Sequence, residues 1–218
     1  MSTDLGPTAT AVEGDSDEAE DGRRARRDRN RVAVVDSLLA LYAEGDLNPS
    51  TDAIALRAGL SPRSLFRYFD DADDLSRAAI ARQHGRIQPL LRVECSPEAA
   101  LATRVKALVD QRTRLFEAMG NVGRVARLRE PFQPLVAAEL AETRAYLRKQ
   151  IKRLMARELN AMTSRDAANA LAAIDVLCSF EAFHLLRDDQ GRTRASTAAV
   201  WTHAVVCLLK ASVQIHVV

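Results

Sequence analysis

Apolar residues recur at intervals of three and four along most of this chain, the spacing that places them on one face of an α-helix. The first such run predicts a helix over residues 28–44, ended by Gly45. Its apolar face is formed by Val34, Val35, Leu38, Leu39, Leu41 and Tyr42. Sustained runs of alternating β-branched residues are lacking, so the pattern predicts an all-α fold.

Two short helices joined by a sharp turn are predicted in the stretch that follows. Ser50 can cap the first helix, because its side chain can accept a backbone N–H of the open first turn. Gly59 ends that helix, since glycine readily adopts the positive φ often needed at this point. Ser61 caps the second helix, and Pro62 occupies its first position, where a missing N–H has no cost. The pattern is that of a helix-turn-helix.

The second of these helices has an inner and an outer face. Leu65 and Phe69, four residues apart, face inward. The outer face carries Arg63, Ser64, Arg67 and Tyr68. Arginine bonds guanine edges or phosphates, hydroxyls reach phosphates and ring carbons touch thymine methyls, so this face suits a DNA major groove. The residues alone leave another interpretation open, in which both arginines lie on the solvated face of an ordinary helical protein.

Further helices are predicted over the rest of the chain. A long one begins at the cap Asp71 and continues to about residue 93, with Pro89 at the position of a kink. The spacing then predicts helices at residues 96–119, 122–128, 131–159, 166–186 and 195–213. The last two are apolar around much of their circumference and need cover on two sides. A second copy of the chain can supply that cover, which predicts a homodimer through the last two helices.

Charge divides the chain into three parts. Residues 1–22 hold seven acidic residues and no lysine or arginine, so we expect a disordered acidic tail. Residues 23–70 begin with an arginine-rich arm, RRARRDRNR, and contain the helix-turn-helix, so we expect a DNA-binding domain. Arginines of the arm can grip phosphates or reach a minor groove, and the alternative is a solvated charge run. Residues 71–218 are expected to form a helical body.

Cysteine usage indicates a reducing compartment. Cys95, Cys178 and Cys207 are far apart and form no Cys-x-x-Cys pair. Cys178 and Cys207 lie in apolar helical runs, so we expect both to be small core residues. No apolar stretch reaches about 18 residues, and the N-terminus is not basic and then apolar, so we expect neither a membrane span nor a signal peptide. These observations predict a cytoplasmic protein.

Residues 54–75 carry the pattern I-A-x-x-A-G-L-S-x-x-S-L-F-R-Y-F-x-D-x-x-x-L. This pattern closely resembles the DNA-binding segment of tetracycline-repressor-type (TetR/AcrR) transcriptional regulators. The chain departs from that family at Phe66, where a tyrosine hydroxyl usually meets a phosphate, and at Ala72, where a lysine is common. Ala72 also lies within an acidic run that repels phosphates, formed by Asp70, Asp71, Asp73 and Asp74.

The resemblance implies a homodimeric regulator, expected to be a repressor, that binds double-stranded DNA and is released by a small-molecule effector. It implies a three-helix DNA-binding domain followed by a helical domain for effector binding and dimerisation. Two recognition helices would read a pseudo-palindrome with half-sites roughly 34 Å apart. The predicted DNA contacts are Arg26, Arg27, Arg29, Ser50, Thr51, Ser61, Arg63, Ser64, Arg67 and Tyr68. The predicted contacts to an apolar effector are Phe116, Met119, Arg127, Phe132, Tyr146, Phe180, Phe183 and His184.

Signals for catalysis are weak. The sequence has no phosphate-binding glycine-rich loop, no Gly-x-Ser-x-Gly and no His-Glu-x-x-His. Glu181 and His184, three residues apart, form either half of a metal site, an acid–base pair or an ordinary polar contact. We therefore expect no enzyme, no cofactor and no metal. Two rival hypotheses stay open: a dimeric DNA-binding protein without an effector, and a helical enzyme or carrier whose basic head is incidental.

Overall fold

Helix α1 begins well before the arginine-rich run. The structure is a computed structural model that describes residues 14–214, with side chains described for residues 21–210. Helix α1 spans Gly14–Glu44, so its end agrees with the prediction, but residues 14–22, predicted to be disordered, are helical. Acidic residues precede arginines here, an order that suits the helix dipole and i, i+4 pairing. Residues 1–13 of the predicted acidic tail lie outside the described residues.

Three helices and the start of a fourth form the head of the molecule. Helix α1 packs against α2, Thr51–Arg57, which contacts the short α3, Pro62–Leu65. Helix α4, Ala72–Leu91, begins at its predicted cap and packs along α1. The head has a core that is separate from that of the body and includes one body residue, Val125; its other members are Val34, Val35, Leu38, Leu39, Tyr42, Ile54, Ala55, Leu65, Phe69 and Ala79.

The first helix of the body combines two predicted helices. Helix α5 spans Leu101–Arg129, with a break at Gly120, where φ is +42°. Only glycine adopts this backbone conformation without a Cβ clash, so the break lies where the sequence placed a helix end. The helix begins later than predicted, because Ser96 closes a turn in which its carbonyl accepts the N–H of Ala99 at 3.2 Å.

The remaining helices are also more divided than predicted. The segment after α5 forms α6, Pro134–Leu154, and the short α7, Ala156–Asn160. The next predicted helix is split into α8, Ser164–Leu177, and α9, Phe180–His184, followed by a π-helical turn over Leu185–Asp189. Ser179 causes the split, since its side chain caps α9 by accepting the N–H of Ala182 at 3.1 Å. Helix α10, Arg194–Gln214, closes the body.

An ion-pair cluster ties α4 to α1 in the head. Arg82 donates to both carboxylate oxygens of Asp36 at 2.8 Å, and Arg86 donates to one of them at 2.6 Å. The hydrogen bond from Arg82 is the main reason that the pKa of Asp36 lies below its usual value. Helix α1 and the second half of α4 are therefore joined by polar contacts in addition to the apolar core.

Buried side chains of the body hold the other end of α4. The carbonyl oxygens of Leu90 and Leu91 accept hydrogen bonds of 2.6 Å from Gln111 and Gln150 respectively. The fully buried guanidinium of Arg112 donates to Gln150 at 2.8 Å and also to Gln111, and burial lowers its pKa to about 10. Since unpaired carbonyls at a buried helix end are costly, this network fixes where α4 ends.

Candidate nucleic-acid interface

Local hydrogen bonds define the helix-turn-helix as the sequence predicted. The Ser50 hydroxyl accepts the N–H of Ala53 at 3.1 Å, and the Ser61 hydroxyl accepts the N–H of Ser64 at 3.2 Å. Between them, Gly59 has φ +68°. Its N–H donates to the carbonyl of Leu56 at 3.1 Å, and the N–H of Leu60 donates to the carbonyl of Ala55 at 2.9 Å. The turn is a Schellman motif, which fixes the angle between α2 and α3.

The recognition element is shorter and tighter than the predicted helix. Helix α3 ends at Leu65, and the chain continues in i to i+3 turns, with Arg67 bonded to Ser64 at 3.1 Å and Tyr68 to Leu65 at 3.0 Å. Leu65 and Phe69 are both buried, as predicted. Arg63 and Arg67 remain on the outside, so the expected separation of an apolar from a cationic face is present.

The predicted DNA contacts are accessible to different degrees. Seven are exposed: Arg26, Arg27, Arg29, Ser50, Ser61, Arg63 and Arg67. Three are half-buried: Thr51, Ser64 and Tyr68. Phe66, which was not among the predicted contacts, is 69% exposed between the two arginines of the recognition element. Contact of these residues with DNA stays a prediction; the structure brings the hydroxyl oxygens of Ser61 and Ser64 to within 2.8 Å of each other.

The arginine-rich run is helical where an arm was predicted. Arg26, Arg27 and Arg29 lie on α1 and are exposed. A helix with side chains is about 10–12 Å across, and the minor groove of DNA is about 6 Å wide. In this form the run can lie along phosphates, which was one of the two predicted roles, but it cannot enter a minor groove as an extended arm does.

Arg31, at the end of this run, has a structural role. Its guanidinium donates to both carboxylate oxygens of Asp74 at 2.5 and 2.9 Å, and to the carbonyl of Tyr68 at 2.7 Å. It also lies over the ring of Phe69, 4.4 Å from the centroid. The hydrogen bond from Arg31 is the main reason that the pKa of Asp74 is lowered. Arg31 therefore fixes the end of the recognition element against α1 and α4.

Two residues of the acidic run at the start of α4 make contacts within the protein. Asp71 caps the helix by accepting the N–H of Asp74 at 2.7 Å, and Asp74 is paired with Arg31. A carboxylate at a helix N-terminus is stabilised by the exposed N–H groups. The negative charge that faces a DNA backbone is thus smaller than the four acidic residues of the run suggest.

Solved structures with a similar arrangement of helices cover more than four fifths of the chain. A TetR-family transcriptional regulator from Streptomyces coelicolor superposes with a TM-score of 0.62, covering 82% of this chain and 81% of that chain at 19% identity. The chain has the TetR fold. A putative TetR-family regulator from Rhodococcus sp. gives 0.62, covering 83% and 99% at 15% identity. The fatty acid degradation regulator FadR from Bacillus halodurans gives 0.55, covering 82% and 94% at 15% identity. No family model matches the sequence, and no curated protein matches it.

In this TetR fold, three of the eight predicted effector contacts fill space between helices. Phe116, Phe180 and Phe183 are buried and pack together with Trp201, with ring centroids of Phe116 at 5.8, 6.1 and 6.3 Å from those of Phe180, Phe183 and Trp201. A Cβ built on Gly123 would lie 2.7 Å from the ring of Phe180. The aromatic residues therefore pack as a core rather than around an opening.

Other predicted effector contacts lie on or near the surface. Phe132 is 83% exposed and Tyr146 is 45% exposed. Arg127 lies over the ring of Phe180, 3.9 Å from its centroid, and donates to Glu181 at 2.7 Å. Helical periodicity could not separate these positions from core positions, because the break at Gly120 within α5 and the turn before α6 change the direction in which each helix face points.

A cavity of about 120 Å³ lies where the head meets the body of the TetR fold. We call it the junction cavity. Its walls come from α1, α4, α5 and α6, and its lining includes Leu38, Tyr42, Ala79, Ile87, Met119, Ala126 and Leu140. Met119 is the predicted effector contact that lines it; the other seven predicted contacts lie elsewhere in the described part of the chain. No local sequence pattern predicted this cavity, because its walls are far apart along the chain.

Glu181 and His184 serve as polar contacts in the structure. His184 Nδ1 lies 2.9 Å from Asp188 and 3.0 Å from Arg124, while Glu181 pairs with Arg127. Burial, followed by the positive charge of Arg124, lowers the pKa of His184 to about 4. Within the described residues no cluster of three or more His, Cys, Asp or Glu side chains could hold a metal ion.

Cys178 and Cys207 were both predicted to be core residues, and the prediction is right for Cys178 alone. Cys178 is buried, and burial raises the pKa of its thiol to about 12. Cys207 was predicted to be a core residue and is exposed, because it lies on a side of α10 that the described part of the chain leaves uncovered. Among the described residues, no single helix is long and apolar enough to cross a membrane; α8 and the following segment to Asp189 pass that test only together, and they are bent by 47°.

Proposed function

We propose that this chain is a homodimeric, sequence-specific DNA-binding transcriptional regulator, and that it acts as a repressor released from a pseudo-palindromic operator by a small apolar effector. The observation that carries the proposal is the recognition element. Its inner face is locked by Leu65, Phe69 and Arg31, and its outer face presents Arg63 and Arg67 to solvent. A cationic surface that is held in place in this way is suited to the major groove.

Dimerisation is supported by an uncovered face on the last helices. Exposed side chains, small or apolar except for one histidine, lie at successive turns of α8 and α10. These are Ala168, Ala172 and Val176 on α8 and Ala195, Ala199, His203 and Cys207 on α10. Small residues allow helices to approach closely, so a second copy can pack here as a four-helix arrangement. Two copies related by a two-fold axis would present two recognition elements to the two half-sites of one operator.

Control by an effector is supported by the position of α4. Ala79 belongs to the core of the head and Ile87 to the core of the body. A ligand that shifts α4 therefore changes the head and the body together. If the liganded dimer favours a spacing of its heads that does not match successive major grooves, DNA binding falls by population shift.

Selection of the purified protein from random duplex DNA at about 150 mM salt tests the proposal, because salt suppresses contacts to phosphate alone. We expect an enriched inverted repeat. The double variant Arg63→Ala/Arg67→Ala should lose that binding and keep its fold, as measured by circular dichroism. Arg157→Ala, which removes an exposed arginine on α7, is the matched control. Unchanged enrichment by the double variant, or no enriched sequence with the wild-type protein, would contradict the proposal and favour a helical enzyme or carrier.

A further inference from the structure

We propose that a groove on the outside of the body, between α6–α7 and α8, binds a small water-soluble molecule that carries phosphate groups beside a flat apolar part. We call it the cationic groove, after Lys149, Lys152 and Arg153, which line it from α6. It shares no lining residue with the junction cavity, and the recognition element contributes none to it. The inference goes beyond the proposed function, because a molecule bound here need not affect DNA binding.

Three like charges lie together on one side of the groove. Lys149, Lys152 and Arg153 are spaced i, i+3 and i+4, so they share one face of α6, and all three are exposed. Like charges at this spacing repel each other and weaken a helix. Within the described residues none of the three forms an ion pair, and Arg153 donates a long hydrogen bond of 3.5 Å to the carbonyl of Val93. A bound anion would offset this repulsion.

The nearest carboxylates along the chain do not neutralise this charge. Residues 143–157 contain no acidic residue, and none of the described residues that line the groove is acidic. Glu158, which follows this segment, is paired with Arg104 at 2.6 Å. Asp166, near the start of α8, accepts a hydrogen bond of 2.7 Å from the hydroxyl of Thr163. The positive charge of the groove is therefore available to a ligand from outside the chain.

The rest of the lining is mostly small and apolar. Helix α8 packs against α6 and contributes Ala167, Ala168 and Leu171, while α7 contributes Ala156 and Leu159. The groove has a volume of about 620 Å³, within the range of roughly 300–1,000 Å³ that is usual for sites of small molecules. Alanines leave room for a flat group to lie against the helices. A ligand that fits the groove therefore has an apolar part as well as negative charge.

The kinds of polar group favour phosphate as the source of that charge. A guanidinium can bond two phosphate oxygens at once, and each lysine ammonium is a compact charge with three donors. Asn160, at the end of α7, and Ser164, at the start of α8, also line the groove and can donate further hydrogen bonds. A single carboxylate would occupy only part of these donors. A molecule with several phosphate oxygens can use them together.

Three probes test this chemistry on the full-length protein: adenosine triphosphate, tripolyphosphate and adenosine. Isothermal titration calorimetry measures binding at about 150 mM salt without divalent cations, because salt screens diffuse attraction between exposed charges. We expect adenosine triphosphate to bind at one site per chain, tripolyphosphate to bind roughly tenfold more weakly and adenosine at least roughly a hundredfold more weakly. Equal affinity for adenosine and adenosine triphosphate would overturn the role of the cations. Equal affinity for tripolyphosphate and adenosine triphosphate would overturn the role of the apolar lining.

Matched double variants locate the site. Lys149→Gln/Lys152→Gln should weaken binding of adenosine triphosphate at least roughly tenfold, since each lysine loses a charge-assisted hydrogen bond. Lys106→Gln/Arg114→Gln removes the same charge from exposed positions of α5 outside the groove and should bind as the wild-type protein does. All four side chains are exposed, so we expect both variants to fold, as measured by circular dichroism.

The recognition element is a second cationic surface, so it needs its own control. The double variant Arg63→Ala/Arg67→Ala should bind adenosine triphosphate as the wild-type protein does. Loss of binding in that variant, or equal losses in the two glutamine variants, would overturn the cationic groove as the site, and so would a wild-type protein that binds none of the probes. If the protein enriches no operator, the proposed function fails, while calorimetry still reports whether the groove binds the probes.

Discussion

Asn30 donates a hydrogen bond of 2.7 Å to the phenolic oxygen of Tyr68, which joins α1 to the end of the recognition element. Because the oxygen accepts this bond, its own proton remains directed away from Asn30 and can be donated to a DNA phosphate. Tyr68 can thus supply the hydroxyl that the sequence lacks at Phe66. This relationship places a side chain of α1 beside Tyr68, one of the proposed DNA contacts.

The first prediction concerns that hydroxyl. Tyr68→Phe should weaken operator binding roughly tenfold, since a hydrogen bond to a charged group contributes about 1.5–3 kcal/mol and water replaces part of it. Fluorescence anisotropy at a fixed salt concentration measures the effect. Tyr146→Phe, on an exposed tyrosine of α6, is the control and should bind as the wild-type protein does. Equal affinity of Tyr68→Phe and wild type would assign the hydroxyl to packing alone.

A second prediction concerns the turn of the helix-turn-helix. Gly59 has φ +68° and open space around its Cα, so Gly59→Ala adds backbone strain without a collision. We expect the free energy of unfolding to fall by about 1 kcal/mol, measured by urea denaturation. Gly85→Ala provides the contrast, because Gly85 lies within helix α4 with equally open space. That variant should gain about 0.5–1 kcal/mol, and a similar loss in both would contradict the role of φ.

A third prediction concerns a buried arginine of the body. Arg104 is 1% exposed and donates to both carboxylate oxygens of Glu158, at 2.6 and 2.8 Å. Glu158→Ala leaves the guanidinium without its charged partner and should reduce stability by roughly 3 kcal/mol, the low end of the usual range because Glu158 is itself partly exposed. Glu117→Ala breaks the exposed pair with Arg194 and should cost less than about 1 kcal/mol. Equal losses would show that burial of Arg104 does not matter.

A fourth prediction concerns pH. The pKa of His184 is lowered to about 4 in the folded protein, chiefly by burial and then by Arg124, from an ordinary value of 6.5. The unfolded chain therefore takes up a proton at a higher pH than the folded one. The contribution of His184 to stability is complete above pH 6.5 and is lost as the pH falls toward 4.

His184→Gln removes that dependence. Urea denaturation of both proteins at pH values between 6.5 and 4 measures the effect. On acidification, the free energy of unfolding should fall by about 2 kcal/mol more for the wild-type protein than for the variant. This figure allows for water that screens the partly exposed ring. Parallel stability curves for the two proteins would show that the folded state holds the proton on His184 as easily as the unfolded chain does.

Sequence reasoning succeeded where structure is decided by neighbours along the chain. The caps at Ser50, Ser61 and Asp71 and the turn at Gly59 each depend on contacts within a few residues, and all four formed as predicted. The inner positions Leu65 and Phe69 followed from spacing alone. These features were enough to recognise the fold of the head and the order of most helices.

Sequence reasoning failed where distant segments decide the result. Phe132 and Tyr146 have the character of pocket residues, but the packing of α5 against α6 leaves them exposed. The junction cavity depends on how α1 and α4 pack against α5 and α6. No local sequence pattern predicts that packing. Arg31 looks like one more arginine of a cationic run, and only its distance to Asp74 shows that it ties α1 to α4.

Helix α1 continues without a break from the arginine-rich run to Tyr42, which lines the junction cavity. At about 1.5 Å of rise per residue, Arg27 lies roughly 22 Å from Tyr42 along this rod. A tilt of about 10° at the cavity end would then displace Arg27 by roughly 4 Å, more than the length of a hydrogen bond. If the proposed effector tilted α1 in this way, a guanidinium that contacts a phosphate at one end of the helix would be moved off it by a change of only a few carbon atoms at the other end.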